Sequence, residues 1–143
     1  MTAVTSGAQL VPVMAGSIVL AYNLDGLGGP LKLSRAVYVN IFFGKITSWD
    51  DPRIQQLNPG LKLPRQDIAL VVRQDGSGTT YAFTDHLSAI SSEWRERGPG
   101  VGSLIAWPRP AMTVPGNEGV AGRIKQSKGA IGYVEYGIRH YRV

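Results

Sequence analysis

The chain contains the segment Arg73-Gln-Asp-Gly-Ser-Gly-Thr-Thr-Tyr-Ala-Phe-Thr84, directly preceded by the apolar run Ile68-Ala-Leu-Val-Val72. The run is β-branched at three of its five positions, which is typical of a strand buried on both faces of a parallel sheet. After the Asp-Gly-Ser-Gly turn, Phe83, Leu87 and Ile90 recur at helical spacing and predict a helix that ends near Ser91. These residues therefore predict a strand, a tight turn and a helix, which is the repeating pattern of an α/β protein.

The same turn has the chemistry of an anion-binding site. A helix start leaves several backbone N–H groups without an intrahelical acceptor, and the helix dipole adds partial positive charge there. Ser77, Thr79 and Thr80 add hydroxyl donors, and Arg73 adds a planar guanidinium that suits a tetrahedral oxyanion. The turn therefore predicts a site for a small anion.

The glycines of the turn do not match the familiar nucleotide or hydrolase motifs. Gly76 and Gly78 either permit a tight turn or let the backbone approach a ligand. Gly78 is followed by Thr79 and not by the lysine of a P-loop, and Tyr81 stands where a dinucleotide fingerprint needs a third glycine. Asp75 stands in place of the first glycine of a nucleophile elbow, and only two histidines are present. We therefore expect no enzymatic activity, no metal ion and no cofactor.

The remaining elements are predicted from apolar runs, helix-capping residues and glycine or proline stops. Along the chain they are a strand at Ser17–Tyr22, a helix capped by Ser34 and ended by Gly44, a helix begun by Asp51-Pro52 with Ile54 and Leu57 inward and stopped by Pro59, a loop over about residues 97–116, a helix capped by Asn117 and closed by Gly129, and a strand at residues 130–134. Strands that alternate with helices predict an α/β three-layer sandwich.

Composition sets broader bounds on the protein. At 143 residues, with 43% hydrophobic residues, the chain is long enough for one domain with a real core. No apolar stretch approaches the roughly 20 residues that span a bilayer, and we expect no signal peptide in this chain. The absence of cysteine excludes disulfides and thiolate metal sites.

The formal charge of +5 favours anionic partners, although scattered basic residues also fit a solubilising surface. The basic tail at residues 139–142 is interpreted as a solvated chain end, so we expect no nucleic-acid partner.

Five further fragments surround the central turn in a recognisable order. They are Leu31-Lys-Leu-Ser34, Ile41-Phe-Phe-Gly-Lys-Ile-Thr-Ser-Trp-Asp-Asp-Pro52, Asn58-Pro-Gly-Leu-Lys-Leu-Pro64, Gly116-Asn-Glu-Gly-Val120 and Gly129-Ala-Ile-Gly-Tyr-Val-Glu-Tyr136. From about residue 10 to residue 136 the chain resembles the phosphate-binding proteins of bacterial phosphate ABC transporters. The N-terminal segment of that family, with a Gly-Ser-Thr-Phe-type loop and a second Gly-Ser-Gly loop, does not occur here. The resemblance implies that residues 1–143 form a single lobe, the second phosphate-binding lobe, of a type II periplasmic-binding-protein fold.

The resemblance also assigns roles to residues of the central turn. Arg73 is similar to the arginine that donates hydrogen bonds to bound phosphate. Ser77, Gly78 and Thr79 are similar to the residues that donate through hydroxyl and backbone N–H groups at the helix start. Asp75 resembles the aspartate that pairs with this arginine, although an Asx turn or helix cap is an alternative role for it.

The same family implies a ligand, partners and a location. Inorganic phosphate would bind in a cleft between this lobe and a missing N-terminal lobe, and the transporter permease would be a further partner of the parent protein. The parent would be periplasmic or otherwise extracytoplasmic.

Each lost hydrogen bond to a charged group removes roughly 1.5–3 kcal/mol, so the lobe alone is expected to bind phosphate in the millimolar range or more weakly. It should also discriminate poorly against sulfate, because the family's proton-accepting carboxylate is implied to lie in the missing lobe. The alternative is a self-associating scaffold or homodimer formed through surface that the missing lobe leaves exposed.

Overall fold

The computed structural model describes residues 17–136 of the chain; residues 1–16 and the basic tail at residues 139–142 lie outside the described part. Four strands and five helices follow one another in this range. They are β1 (Ser17–Tyr22), α1 (Arg35–Phe43), α2 (Pro52–Gln55), β2 (Ala69–Arg73), α3 (Gly78–Ile90), α4 (Ser92–Arg97), β3 (Met112–Val114), α5 (Gly116–Gln126) and β4 (Ala130–Tyr136). Among these residues, no helix is both long and apolar enough to cross a lipid bilayer.

The strands form one mixed sheet in the order β1-β4-β2-β3. Strand β2 runs parallel to both β3 and β4, while β1 runs antiparallel to β4. Ser17 pairs with Tyr136, so the first and last described residues are neighbours in the sheet. The outer ends of the first and last strands therefore lie close together.

Helices cover both faces of the sheet, which confirms the α/β three-layer sandwich. Successive side chains of a strand point to opposite faces. Leu70 and Val72 of β2 accordingly join the larger core, which α1, α3 and α4 cover, while Val71 joins the smaller core under α5. All three side chains are buried, so the central strand is enclosed on both faces as its composition predicted.

The helix ends follow the predicted capping residues in several places. Ser34 caps α1 by accepting a hydrogen bond from the Val37 N–H, and Gly44 ends this helix at a φ of 92°.

Asp51 caps α2, which begins at Pro52. Helix α2 is nevertheless shorter than expected, since it ends at Gln55 and not at Pro59. The buried side chain of Asn58 accounts for this early end, because its Nδ2 atom donates to Ile54 O at 2.9 Å. Of the two side chains expected to point inward, Ile54 is fully buried and Leu57 only partly.

Two elements were missed in and beside the predicted loop of residues 97–116. Helix α4 begins after Ser91, whose hydroxyl accepts from the Trp94 N–H, and it buries the Trp94 ring completely. Strand β3 has only three residues and pairs with β2 alone. A helix of six residues and a strand of three are too short to show a clear periodicity, so the sequence pattern did not reveal them.

The boundaries predicted for α5 were wrong at both ends. The helix begins at Gly116, and its N-cap residue Pro115 makes no side-chain capping hydrogen bond, so Asn117 is not the cap. It ends at Gln126 with Ser127 at the C-cap. Gly129 lies beyond the helix at a φ of 79°, where an added Cβ would approach Asp67 O to 2.9 Å. This glycine therefore serves the entry into β4 and not the end of the helix.

Candidate anion-binding site

A cavity of about 510 Å³ lies at the carboxyl ends of the parallel strands, where α/β sheets commonly bind ligands. The residues that line it come from β1, from the end of β4, from the central turn with the start of α3, and from the start of α5. They are Ile18, Arg73, Gly76, Ser77, Gly78, Thr79, Ala82, Asn117 and Glu135. Four of the five predicted site residues line this cavity, and the fifth, Asp75, is hydrogen-bonded to one of them.

The start of α3 supplies uncapped N–H groups to the cavity. Ser77 is the N-cap residue in extended conformation, and its Oγ atom accepts from the Thr80 N–H at 3.1 Å. Its own N–H donates to Ser103 O at 2.9 Å. Helical geometry leaves the N–H groups of Gly78 and Thr79 without an intrahelical acceptor. These two amides and the Ser77 hydroxyl proton are thus the donors that the helix start offers to a ligand.

The structure decides between the two interpretations of the paired glycines. Neither Gly76 nor Gly78 has a positive φ, so the turn does not need glycine for its backbone conformation. A Cβ added at Gly78 would meet no protein atom within 4 Å. The space beside Gly78 is therefore open, which favours close approach of a ligand to the backbone.

Asp75 holds the guanidinium of Arg73 through two hydrogen bonds. Arg73 Nε donates to Asp75 Oδ1 and Arg73 Nη2 donates to Asp75 Oδ2, each at 2.7 Å. Asp75 Oδ1 also accepts from the Gly116 N–H at 3.3 Å. The hydrogen bonds from Arg73 hold the pKa of the Asp75 carboxyl far below its usual range. Asp75 therefore stays ionised and fixes the arginine side chain at the end of β2, as the resemblance implied.

A buried hydroxyl network lies behind the turn, and it corrects one expectation. Thr80 Oγ1 and Tyr133 Oη are 2.7 Å apart, and the Arg73 N–H donates to Tyr133 Oη at 3.3 Å. Either hydroxyl can donate in the hydrogen bond between Thr80 and Tyr133, because the Tyr133 oxygen can accept from the Arg73 N–H and from a second donor as well. The Thr80 side chain is thus buried against the sheet and does not offer its hydroxyl to the cavity. Burial also raises the pKa of the Tyr133 phenol.

Sequence reasoning gave no binding role to two polar residues of the cavity, Asn117 and Glu135. Asn117 was expected to cap a helix, and Glu135 was only part of a recognised fragment. Both follow from the topology: β2, β3 and β4 are parallel, so the residues at their carboxyl ends meet at one edge of the sheet. The positions of Asn117 and Glu135 after β3 and near the end of β4 would have indicated the cavity only if the order of the strands in the sheet had been known.

No group of three or more metal-binding side chains occurs within residues 17–136. His86 lies outside the cavity, where its Nε2 atom is hydrogen-bonded to Tyr38 Oη and its ring stacks on that tyrosine.

Comparison with known proteins agrees with the resemblance. A phosphate-binding protein PstS of Xylella fastidiosa is 44% identical over 131 residues, which cover 91% of this chain and 35% of the relative. PstS of Haemophilus influenzae is 46% identical over 131 residues, covering 90% of this chain and 39% of the relative. A solved periplasmic phosphate-binding protein, PfluDING bound with phosphate, shares the fold with a TM-score of 0.69 at 24% identity, covering 87% of this chain and 32% of that one.

The chain thus spans between 35% and 39% of the length of these two relatives. Both relatives are named as phosphate-binding proteins and not as enzymes, which confirms the resemblance stated from the sequence fragments. The family model described as "PBP superfamily domain" matches residues 2–143, almost the whole sequence. The chain therefore belongs to the protein family that this model describes, the PBP superfamily domain.

Proposed function

We propose that the chain binds inorganic phosphate in the cavity at the start of α3 and contributes one wall of the cleft of a solute-binding protein for ABC-transporter phosphate uptake. One observation carries this proposal. Arg73, Ser77, Gly78 and Thr79 line a single cavity, and together they carry a guanidinium, a hydroxyl and two helix-start amides. These groups are donors to anions, and a helix N-terminus backed by an arginine suits a tetrahedral oxyanion.

The chain acts as the second, phosphate-binding lobe, and an N-terminal lobe of the parent protein supplies the other wall. The pairing of Ser17 with Tyr136 supports this arrangement, because two connections to a second lobe would leave from neighbouring positions. The name of one solved neighbour, a periplasmic phosphate-binding protein, supports a periplasmic or otherwise extracytoplasmic parent. Delivery of phosphate to a transporter permease is part of the same proposal.

Titration of the isotope-labelled 143-residue chain with inorganic phosphate, followed by NMR, tests the proposal. We expect saturable shifts of the amides of residues 76–80, with a dissociation constant in the millimolar range or weaker, since one wall provides only part of the hydrogen bonds. Sulfate should shift the same amides with similar affinity. Arg73→Ala should abolish the response, while Arg65→Ala, which removes the same charge from an exposed loop position, should preserve it. Shifts that persist in Arg73→Ala would contradict the assignment.

A second candidate function is self-association, which the position of β1 at the edge of the sheet formed by residues 17–136 favours. Strand β1 is the terminal strand of the sheet formed by the described residues, and it carries no charged side chain. An apolar cavity of about 280 Å³ lies beside it, between Ile18, Leu20 and Phe83 among others. Unpaired apolar edges favour pairing with another chain. Light scattering coupled to size-exclusion chromatography tests this candidate, and a monomer at high protein concentration would rule against it.

A further inference from the structure

Asn117 belongs to the first turn of α5 and lines the same cavity as the start of α3. Its Oδ1 atom accepts a hydrogen bond from the Glu135 N–H at 3.3 Å. Because a backbone N–H group only donates, the amide oxygen must be the atom directed toward β4. The NH2 group of the same amide then points away from that strand, and it donates to no protein acceptor within residues 17–136.

The charges around the cavity give this uncharged donor particular weight. Arg73 is paired through two hydrogen bonds with Asp75, and Glu135 adds a second carboxylate to the surroundings. A carboxylate accepts hydrogen bonds and donates none, so it cannot hold the ionised oxygens of an anion. Binding of an oxyanion here therefore depends on neutral N–H and O–H donors in addition to the Arg73 guanidinium, and the Asn117 amide offers two N–H groups.

We propose that Asn117 is a further ligand-contacting residue, whose NH2 group donates to an oxygen of the bound phosphate. This inference rests on the proposed function of the cavity. The hydrogen bond from the Glu135 N–H orients the amide so that the NH2 group is available to the ligand. The phosphate is then held from the starts of two helices, by backbone amides of α3 and by a side-chain amide of α5.

The substitution Asn117→Asp separates the binding role from a structural one. Aspartate keeps an oxygen that accepts the Glu135 N–H and replaces the NH2 group with a second carboxylate oxygen. An acidic residue in the first turn also suits the helix dipole, so the unfolding midpoint should stay constant or rise. The dissociation constant of inorganic phosphate, measured by NMR titration of the 143-residue chain, should increase more than about tenfold because like charges face each other. Asn117→Ala removes the donors without adding charge and should weaken binding about two- to tenfold.

The matched control is Asn40→Asp, which makes the same charge change on α1 outside the cavity lining. Its phosphate affinity should stay within about twofold of the unsubstituted chain, because Asn40 is not among the residues that line the cavity. Equal affinities for Asn117→Asp and Asn40→Asp, in a chain whose binding depends on Arg73, would overturn the role of Asn117 and leave the proposed function standing. Absence of any Arg73-dependent phosphate response in the unsubstituted chain would instead overturn the proposed function, and the role of Asn117 with it.

Discussion

Two helix starts lie beside the same cavity, and they are stabilised in different ways. Helix α3 has a side-chain cap, Ser77, and its first amides remain available to a ligand. Helix α5 follows Pro115 and has no side-chain cap. Its first amide, from Gly116, donates to Asp75, the residue that holds the arginine. One helix start thus leaves its first amides at the cavity, where we propose that the anion binds, while the other supports the arginine pair beside it.

The difference also appears in the glycines that open the two helices. Gly78 opens α3 with an ordinary backbone conformation, whereas Gly116 opens α5 at a φ of 72°. Neither position has a protein atom close to an added Cβ. Glycine is therefore needed at 116 for its backbone dihedral, and at 78 only if a ligand approaches. Glycine thus occupies the first position of both helices for different reasons, its backbone dihedral in α5 and its missing side chain in α3.

The largest effect is expected from Tyr133→Phe, which acts on the α3 side alone. The change leaves the buried Thr80 hydroxyl and the Arg73 N–H without their shared partner. We expect the free energy of unfolding to fall by about 1–3 kcal/mol, with weaker phosphate binding, because both ends of the binding turn lose their common support. Urea denaturation measures the first quantity and NMR titration the second.

Tyr22→Phe is the control for this substitution, since the Tyr22 hydroxyl accepts one hydrogen bond, from the Leu31 N–H at 3.3 Å, away from the cavity. It should cost less stability and leave phosphate binding unchanged. Equal losses of stability in both variants, with binding unaffected, would show that Tyr133 does not support the turn.

Alanine substitutions at the two opening glycines should have opposite effects on stability. Gly116→Ala forces a left-handed conformation on alanine and should cost about 1–2 kcal/mol. Gly78→Ala should leave stability unchanged or raise it by up to about 1 kcal/mol, because alanine favours the helix. Its Cβ would nevertheless occupy the open space of the cavity and weaken phosphate binding. Thermal denaturation and titration of both variants check the pair, and unaltered phosphate affinity in Gly78→Ala would contradict the ligand-approach interpretation.

A smaller effect should appear in the acid stability of the chain. Arg73 lowers the pKa of folded Asp75, so the unfolded chain takes up a proton first as the pH falls below the ordinary aspartate value of about 4. The stabilisation from Asp75 is therefore present above that pH and is lost below it. Asp75→Asn should flatten the decline of stability between neutral and acid pH. Asp51→Asn is the comparison, because Arg53 lowers the pKa of Asp51 as well but far from the cavity. If the stability of Asp75→Asn falls with decreasing pH as steeply as that of the unsubstituted chain, the link between the lowered pKa of Asp75 and acid stability is wrong.

Local signals predicted much of the fold. The bounds of β1, the Ser34 and Asp51 caps, and the end of α3 before Ser91 agree with the structure. Each depends on residues within a few positions of one another. The elements α4 and β3 are too short for a hydrophobic periodicity to show. Helix α5 was misplaced because its N-cap residue, Pro115, lacks the capping side chain that the other helices have.

The sequence by itself determined the strand, turn and helix around Arg73 and the donor chemistry of the site, because these depend on neighbouring residues. Tertiary structure alone decided that Asn117 and Glu135 join the cavity and that Thr80 turns toward Tyr133. Those arrangements depend on which strands run side by side, since Asn117 contacts Glu135 from 18 positions away and Thr80 contacts Tyr133 from 53 positions away. A parallel sheet brings the carboxyl ends of distant strands to one edge, and no local pattern records that order.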